Sequence, residues 1–176
     1  MVDLALAKAH LRAEGIAEDA LIQAYLGAAA AHVEGVTGKL LTRREAVQPV
    51  AALAGYIALW WGPEPAFAAG QGIDYLDAAG APQTVALPRL VGDRVYPPLL
   101  AGWPVTLARS PIAVSYTAGY GAGVGQTPVP ADLVQAQLML VAHWYSNREA
   151  VNGGNIVSEM PMAVEAICRR YRAVLI

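Results

Sequence analysis

Proline and glycine punctuate the middle of this sequence so densely that no long helix fits there. They recur at Pro49, Gly62-Pro63, Pro65, Gly70, Gly72, Gly80, Pro82, Pro88, Pro97-Pro98, Gly102, Pro104 and Pro111. Proline breaks a helix interior or a central strand, and glycine weakens either. Short strands joined by turns remain. Gly72-Ile73-Asp74-Tyr75-Leu76-Asp77, Thr84-Val85-Ala86-Leu87 and Ile112-Ala113-Val114-Ser115-Tyr116-Thr117 are rich in β-branched and aromatic residues. The last alternates Ile112, Val114 and Tyr116 with smaller residues, a period of two that marks a strand. Asp77-Ala78-Ala79-Gly80 reads as the connection of a hairpin.

Both flanks read as helix. Asp3 is a good N-cap for residues 4–12, and Gly15 supplies a stop. Acidic Glu18 and Asp19 favour the start of a second helix. That helix carries Ile22, Leu26, Ala29, Val33 and Val36 on one apolar face and ends at Gly38. Beyond Thr127-Pro128-Val129-Pro130, Ala131-Asp132 opens a third helix with two adjacent stripes. One holds Leu133, Gln137, Leu140 and Trp144, the other Val134, Leu138, Val141 and Tyr145. A helix this apolar all round is covered on more than one side, one of them plausibly by a second subunit. Asn152-Gly153-Gly154-Asn155 reads as a flexible loop. Pro161 then starts a last helix with Val164, Ile167, Cys168 and Tyr171 inward.

These patterns predict an α+β fold, mainly α: a bundle of about four helices with an inserted small antiparallel β region. The expected organisation is a single domain, with N-terminal helices over 1–44, the Pro/Gly-rich insertion over 45–126 and C-terminal helices over 127–176.

Composition limits what such a domain does. Hydrophobic residues make up 56% of the 176 and charged residues only 15%, where about 25% charged is usual. A small chain so short of charge has an unusually apolar surface or one covered by another molecule. The net charge of −2 is not a basic nucleic-acid footprint. One cysteine, Cys168, allows neither an internal disulfide nor a multi-thiolate zinc site. No basic segment precedes an apolar run at the N-terminus, so no secretory signal is expected. The apolar run from Val50 to Trp61 falls short of the roughly 20 residues of a membrane helix. The sequence predicts a soluble protein made in the cytoplasm.

Candidate chemistry is sparse. The glycines of Gly119-Tyr120-Gly121-Ala122-Gly123-Val124-Gly125 do not lead straight into a helix, and no Gly-Lys-Ser/Thr follows them, so a phosphate-binding loop is not expected. His10, His32 and His143 lie on three different predicted helices without metal-site spacing. Turn chemistry explains Asp77 beside Asp74, and Cys168 reads as a small buried hydrophobe. No catalytic residue, cofactor or metal is assigned. Trp60-Trp61, Trp103 and Trp144-Tyr145 are most simply core, although Trp144, Tyr145 and Arg148 are also residue types that interface centres favour. Arg169, Arg170 and Arg172 are either a solvated face that complements the helix dipole or a dock for an acidic partner.

Several blocks resemble a known family. They are Ala9-His10-Leu11-Arg12, Asp19-Ala20-Leu21-Ile22 and Val36-Thr37-Gly38, then Val114 to Gly121, Val129-Pro130-Ala131-Asp132-Leu133 and His143-Trp144-Tyr145-Ser146-Asn147-Arg148-Glu149-Ala150. In order and spacing these are similar to phage head–tail connector (adaptor) proteins, and residues 45–110 are largely uncovered by the likeness. The resemblance implies a non-enzymatic part of a virion of a long-tailed phage, prophage or gene-transfer agent, made in the host bacterial cytoplasm. It implies a ring, usually a dodecamer, beneath the portal protein at the head–tail interface. Such a ring extends the DNA channel and presents a platform to a stopper or tail-completion protein. Double-stranded DNA would pass through the lumen without specific binding, and no membrane is involved. By this analogy Val134, Leu138, Val141, Trp144, Tyr145 and Arg148 lie at subunit contacts, and Arg169, Arg170 and Arg172 near the portal. The competing readings are a small-ligand-binding or enzymatic α+β domain, and another virion ring such as a stopper or tail terminator.

Overall fold

The computed structural model describes residues 2–86, 88–99, 101–147 and 161–172. These form four helices and seven strands, and the chain divides into two compact units: Met1–Leu41 with Ala122–Ile176, and Thr42–Gly121.

The first unit is helical: α1 (Leu4–Leu11), α2 (Asp19–Thr37), α3 (Ala131–Ser146) and α4 (Met162–Tyr171). The Asp3 carboxylate caps α1 by accepting the Leu6 amide proton at 2.8 Å. Arg12 turns left-handed at φ 55° and ends α1 ahead of the stop expected at Gly15. The Lys8 ammonium pairs with Asp19 at 2.5 Å and so fastens α1 to the start of α2. On α2, Ile22, Leu26, Ala29 and Val33 are buried at the predicted spacing. Val36 is only half-buried, and Thr37 takes the inward place, its hydroxyl donating to the Val33 carbonyl at 2.7 Å. Gly38 closes the helix at φ 66°, a conformation that favours glycine. Packed against α1, α2 and α4, α3 buries Leu133, Ala136, Leu140 and Val141, while α4 buries Val164 and Cys168. Full burial of each large apolar side chain contributes on the order of 1.5–3 kcal/mol.

The second unit is made of strands: β1 (Arg44–Val50), β2 (Ile57–Ala58), β3 (Gly72–Leu76), β4 (Pro82–Ala86), β5 (Arg89–Val91), β6 (Arg94–Tyr96) and β7 (Ile112–Ala118). They form an antiparallel four-stranded sheet of order β1-β7-β3-β4 and an antiparallel three-stranded sheet of order β2-β6-β5. On β7, Ile112, Val114, Tyr116 and Ala118 alternate into the core as the period of two predicts. The Gln48 amide joins the sheets. It donates to the Ala58 carbonyl at 2.8 Å and accepts from the Trp60 amide at 2.8 Å and the Tyr116 hydroxyl at 3.3 Å.

This architecture corrects the sequence-based fold class. The protein is a mixed α+β structure with two antiparallel sheets, not a mainly α bundle carrying a small β insertion. Strands of two or three residues, as in β2, β5 and β6, are too short to show an alternation. Arg44–Val50 contains Pro49, which reads against a strand, yet β1 is an edge strand, where a missing N–H is tolerated.

Candidate subunit interface

The residues assigned to subunit contacts fall into two groups. Leu138 and Val141 are 6% and 0% exposed, so the chain's own fold already covers them. Val134, Trp144 and Tyr145 are half-buried and keep surface to offer. The Trp144 ring lies 6.3 Å from that of Tyr25 on α2, tilted by 51°, and the Tyr145 hydroxyl donates to the Glu18 carboxylate. Arg148 lies outside the described residues, as does the loop predicted at 152–155.

The basic cluster is unequal. Arg169 is ion-paired with Glu165 one turn back at 2.6 Å. Arg170 is paired with Asp132 on α3, which also accepts the Tyr171 hydroxyl proton at 2.6 Å. Arg172 is exposed, with no carboxylate partner among the described residues. Large apolar side chains also stand in solvent: Ile16 at 84% exposure, Met162 at 81% and Val124 fully exposed in the helical unit, and Val105 at 77% and Leu99 at 72% in the strand unit. Exposed apolar surface of this kind marks contact sites when it is contiguous.

His10 is exposed and His32 and His143 are half-buried. Among the described residues no three histidine, cysteine, aspartate or glutamate side chains are grouped to hold a metal ion. Cys168 is fully buried, and that burial pushes its thiol pKa up, away from the thiolate a nucleophile needs. β7 ends at Ala118 and α3 begins at Ala131, so the intervening glycines do not open a helix.

Asp77 begins the β3–β4 turn. Its carboxylate accepts the amide protons of Ala81 and Ala79, each at 2.9 Å, and a Gln83 amide proton at 3.2 Å. Hydrogen bonds to the ionised form, led by that of Ala81, hold its pKa below the 3.8 of an ordinary aspartate. The turn is therefore stabilised at neutral pH, and this contribution disappears as pH falls through the depressed value. A carbon-detected NMR titration should place the Asp77 midpoint below that of a free aspartate; a normal midpoint would show that the turn does not hold the carboxylate.

Sequence reasoning missed one surface altogether. In the three-stranded sheet the Arg94 guanidinium lies 4.4 Å from the Tyr56 ring centre, and that of Arg89 lies 5.0 Å from the Tyr96 ring centre. The two tyrosine rings are themselves 6.0 Å apart. The only advance signal was arginine recurring beside tyrosine in segments too short to be assigned as strands.

Residues 107–172 match the family described as phage gp6-like head–tail connector protein. A chain in the neck of an empty gene transfer agent particle, determined with C6 symmetry, is 32% identical. The alignment covers 99% of this chain and 91% of that one, with a TM-score of 0.76. A chain in the virion of a native gene transfer agent particle is 31% identical over 99% of this chain and 91% of that one, TM-score 0.73. A chain in the neck of the native particle with C12 symmetry is 31% identical over 100% and 94%, TM-score 0.69. No curated protein matches significantly.

Proposed function

The chain belongs to the phage head–tail connector family, and from that premise we propose that it is the subunit of a homo-oligomeric ring, a dodecamer, in the neck of a phage or gene-transfer-agent virion. The ring sits beneath the portal, joins capsid to tail, and carries the DNA channel onward to a stopper or tail-completion protein. Its role is structural rather than enzymatic. The observation that carries this reading is identity of 31–32% to neck and virion chains across nearly the whole length of both partners.

The physical chemistry supports it. Head-to-tail contacts in a ring cover two different patches on every copy, which suits a chain with 15% charged residues and solvent-facing Ile16, Val124 and Met162. A conduit must also release its cargo. A net charge of −2 offers little phosphate neutralisation, so DNA is not gripped. Val134, Trp144 and Tyr145 supply ring contacts on this reading, and Arg169, Arg170 and Arg172 at the end of α4 face the portal.

Native mass spectrometry of the chain, alone and co-expressed with its portal, tests the proposal. The expected result is a closed ring or a ring–portal complex. A chain that stays monomeric at high concentration and fails to bind a portal assembly overturns it. Because Arg172 makes no internal ion pair among the described residues, Arg172→Glu should weaken portal binding by roughly 3- to 10-fold, mainly at low salt. Unchanged affinity in a salt series would remove Arg172 from the docking surface.

A further inference from the structure

Directly paired residues in antiparallel strands share a face. The pairs Arg89↔Tyr96, Val91↔Arg94 and Ala58↔Arg94 therefore put these residues together on one face of the three-stranded sheet. Ile57, Val95 and Leu90 occupy the other, where Ile57 and Val95 are 5% and 0% exposed. The first face is thus the outward one, and Tyr56 at 41% exposure extends it beside Tyr96. Among the described residues no carboxylate pairs with Arg89 or Arg94, and Asp93 in the β5–β6 turn makes no ion pair with them. Tyrosine and arginine are enriched at interface centres, from which lysine, glutamate and aspartate are depleted. Stacking on the rings orders both guanidiniums in advance, which lowers the entropy lost on binding.

The complementary surface lies on the same unit. A groove of about 450 Å³ is lined by Asp74, Tyr75, Pro82, Gln83, Thr84 and Ala113. Asp74 accepts only the Thr84 hydroxyl at 2.6 Å, and Asp77 in the adjoining turn meets only neutral donors, so neither carboxylate faces a cation. The groove belongs to the β4 edge of the four-stranded sheet, whereas Gln48 ties β2 to β1, the strand at the other edge. One copy therefore carries unpaired arginines toward one end of that sheet and unpaired aspartates at the other. We propose that the Tyr56/Arg89/Arg94/Tyr96 face of one copy docks on the Asp74 groove of the next. The proposal rests on the ring reading and names the contact between neighbours. On each copy the face holds only two of the five arginines of residues 42–121, a stretch without lysine, a sparser basic surface than the phosphate contacts of a polyanion such as DNA call for.

The test is a charge exchange read by sedimentation velocity, on the free chain or on portal-templated rings. Arg94→Glu and Asp74→Arg should each raise the concentration needed for assembly by roughly tenfold or more. The chain carrying both should return toward the original value, because every contact then has both charges reversed. A second arm places Val91→Cys and Thr84→Cys in one chain, where mild oxidation should give a ladder of covalently joined copies. Cys168 is buried and does not interfere. Where a charge variant misfolds, the cysteine arm decides alone. Single variants that assemble like the original, a double variant that fails to recover, no ladder, or variants altered only in DNA retention would overturn the docking while leaving the ring intact. An unaltered chain that assembles neither alone nor on a portal overturns the ring reading, and the docking with it.

Discussion

Gln48→Met is expected to lower the stability of this protein by about 2–5 kcal/mol, since each buried polar group left unpaired costs about 1–3 kcal/mol. In thermal unfolding the midpoint should fall by roughly 5–15 °C for a chain of this size. Methionine matches glutamine in length and volume, so the loss isolates hydrogen bonding from packing. Gln48 is 2% exposed and accepts or donates three hydrogen bonds at once, to Ala58, Trp60 and Tyr116. The Tyr116 hydroxyl would lose its acceptor while still accepting the Trp61 amide at 3.0 Å. The Ala58 carbonyl and the Trp60 amide would lose their partner outright. Since these groups bind the first strand of the three-stranded sheet to the four-stranded one, the damage should spread beyond the site. Hydrogen exchange should quicken at Ile57 and Val95 as well as at Trp60. A midpoint within a degree or two of the original would mean that apolar contacts alone hold the two sheets together.

How much of this was legible in the sequence depended on element length. The nineteen residues of α2 gave room for four or five repeats of the helical spacing, and Ile22, Leu26, Ala29 and Val33 are buried as that spacing requires. The seven residues of β7 likewise displayed their alternation. The β3–β4 hairpin was marked by Asp77 and Gly80, whose chemistry is local to the turn. What failed was the balance of the fold. β5 and β6 have three residues each, and the single buried position between them, Val95, cannot establish a period. Pro49 hid β1, although its pairing with β7 is continuous from Arg44↔Ala118 to Val50↔Ile112. Tertiary pairing decided these strands, and a single sequence does not show its partners.

The candidate interface was legible by residue type more than by position. Trp144 and Tyr145 keep accessible surface, but Leu138 and Val141, on the predicted stripe of Tyr145, are closed in by neighbouring helices of the chain. Periodicity shows that a helix has several apolar sides; it does not show which neighbour covers each. The shortage of charge is instead visible at Ile16, Val124 and Met162, single exposed residues that no periodic pattern selects. The arginine–tyrosine face escaped notice for a related reason. Arg89 and Tyr96 are separated along the chain and become neighbours only through the β5–β6 register.

Gln137 should respond to the same substitution with the opposite sign. It lies on the Leu133–Gln137–Leu140 stripe of α3, where all three residues are at most 1% exposed. Neither the oxygen nor the nitrogen of its amide has a hydrogen-bond partner among the described residues. Burying an amide without compensation costs about 1–3 kcal/mol in proteins, and methionine fills similar space without polar atoms. Gln137→Met is therefore expected to stabilise the protein by about 1–3 kcal/mol and to raise the thermal midpoint by several degrees. Denaturant titration of the two glutamine variants side by side makes the comparison direct, because size and chemistry of the change are identical. The bonded glutamine should shift the midpoint down and the unbonded one up, with little change in the slope. A loss of stability on replacing Gln137 would show that its amide is hydrogen-bonded in solution, and the helical core would then contain a polar contact that its packing conceals.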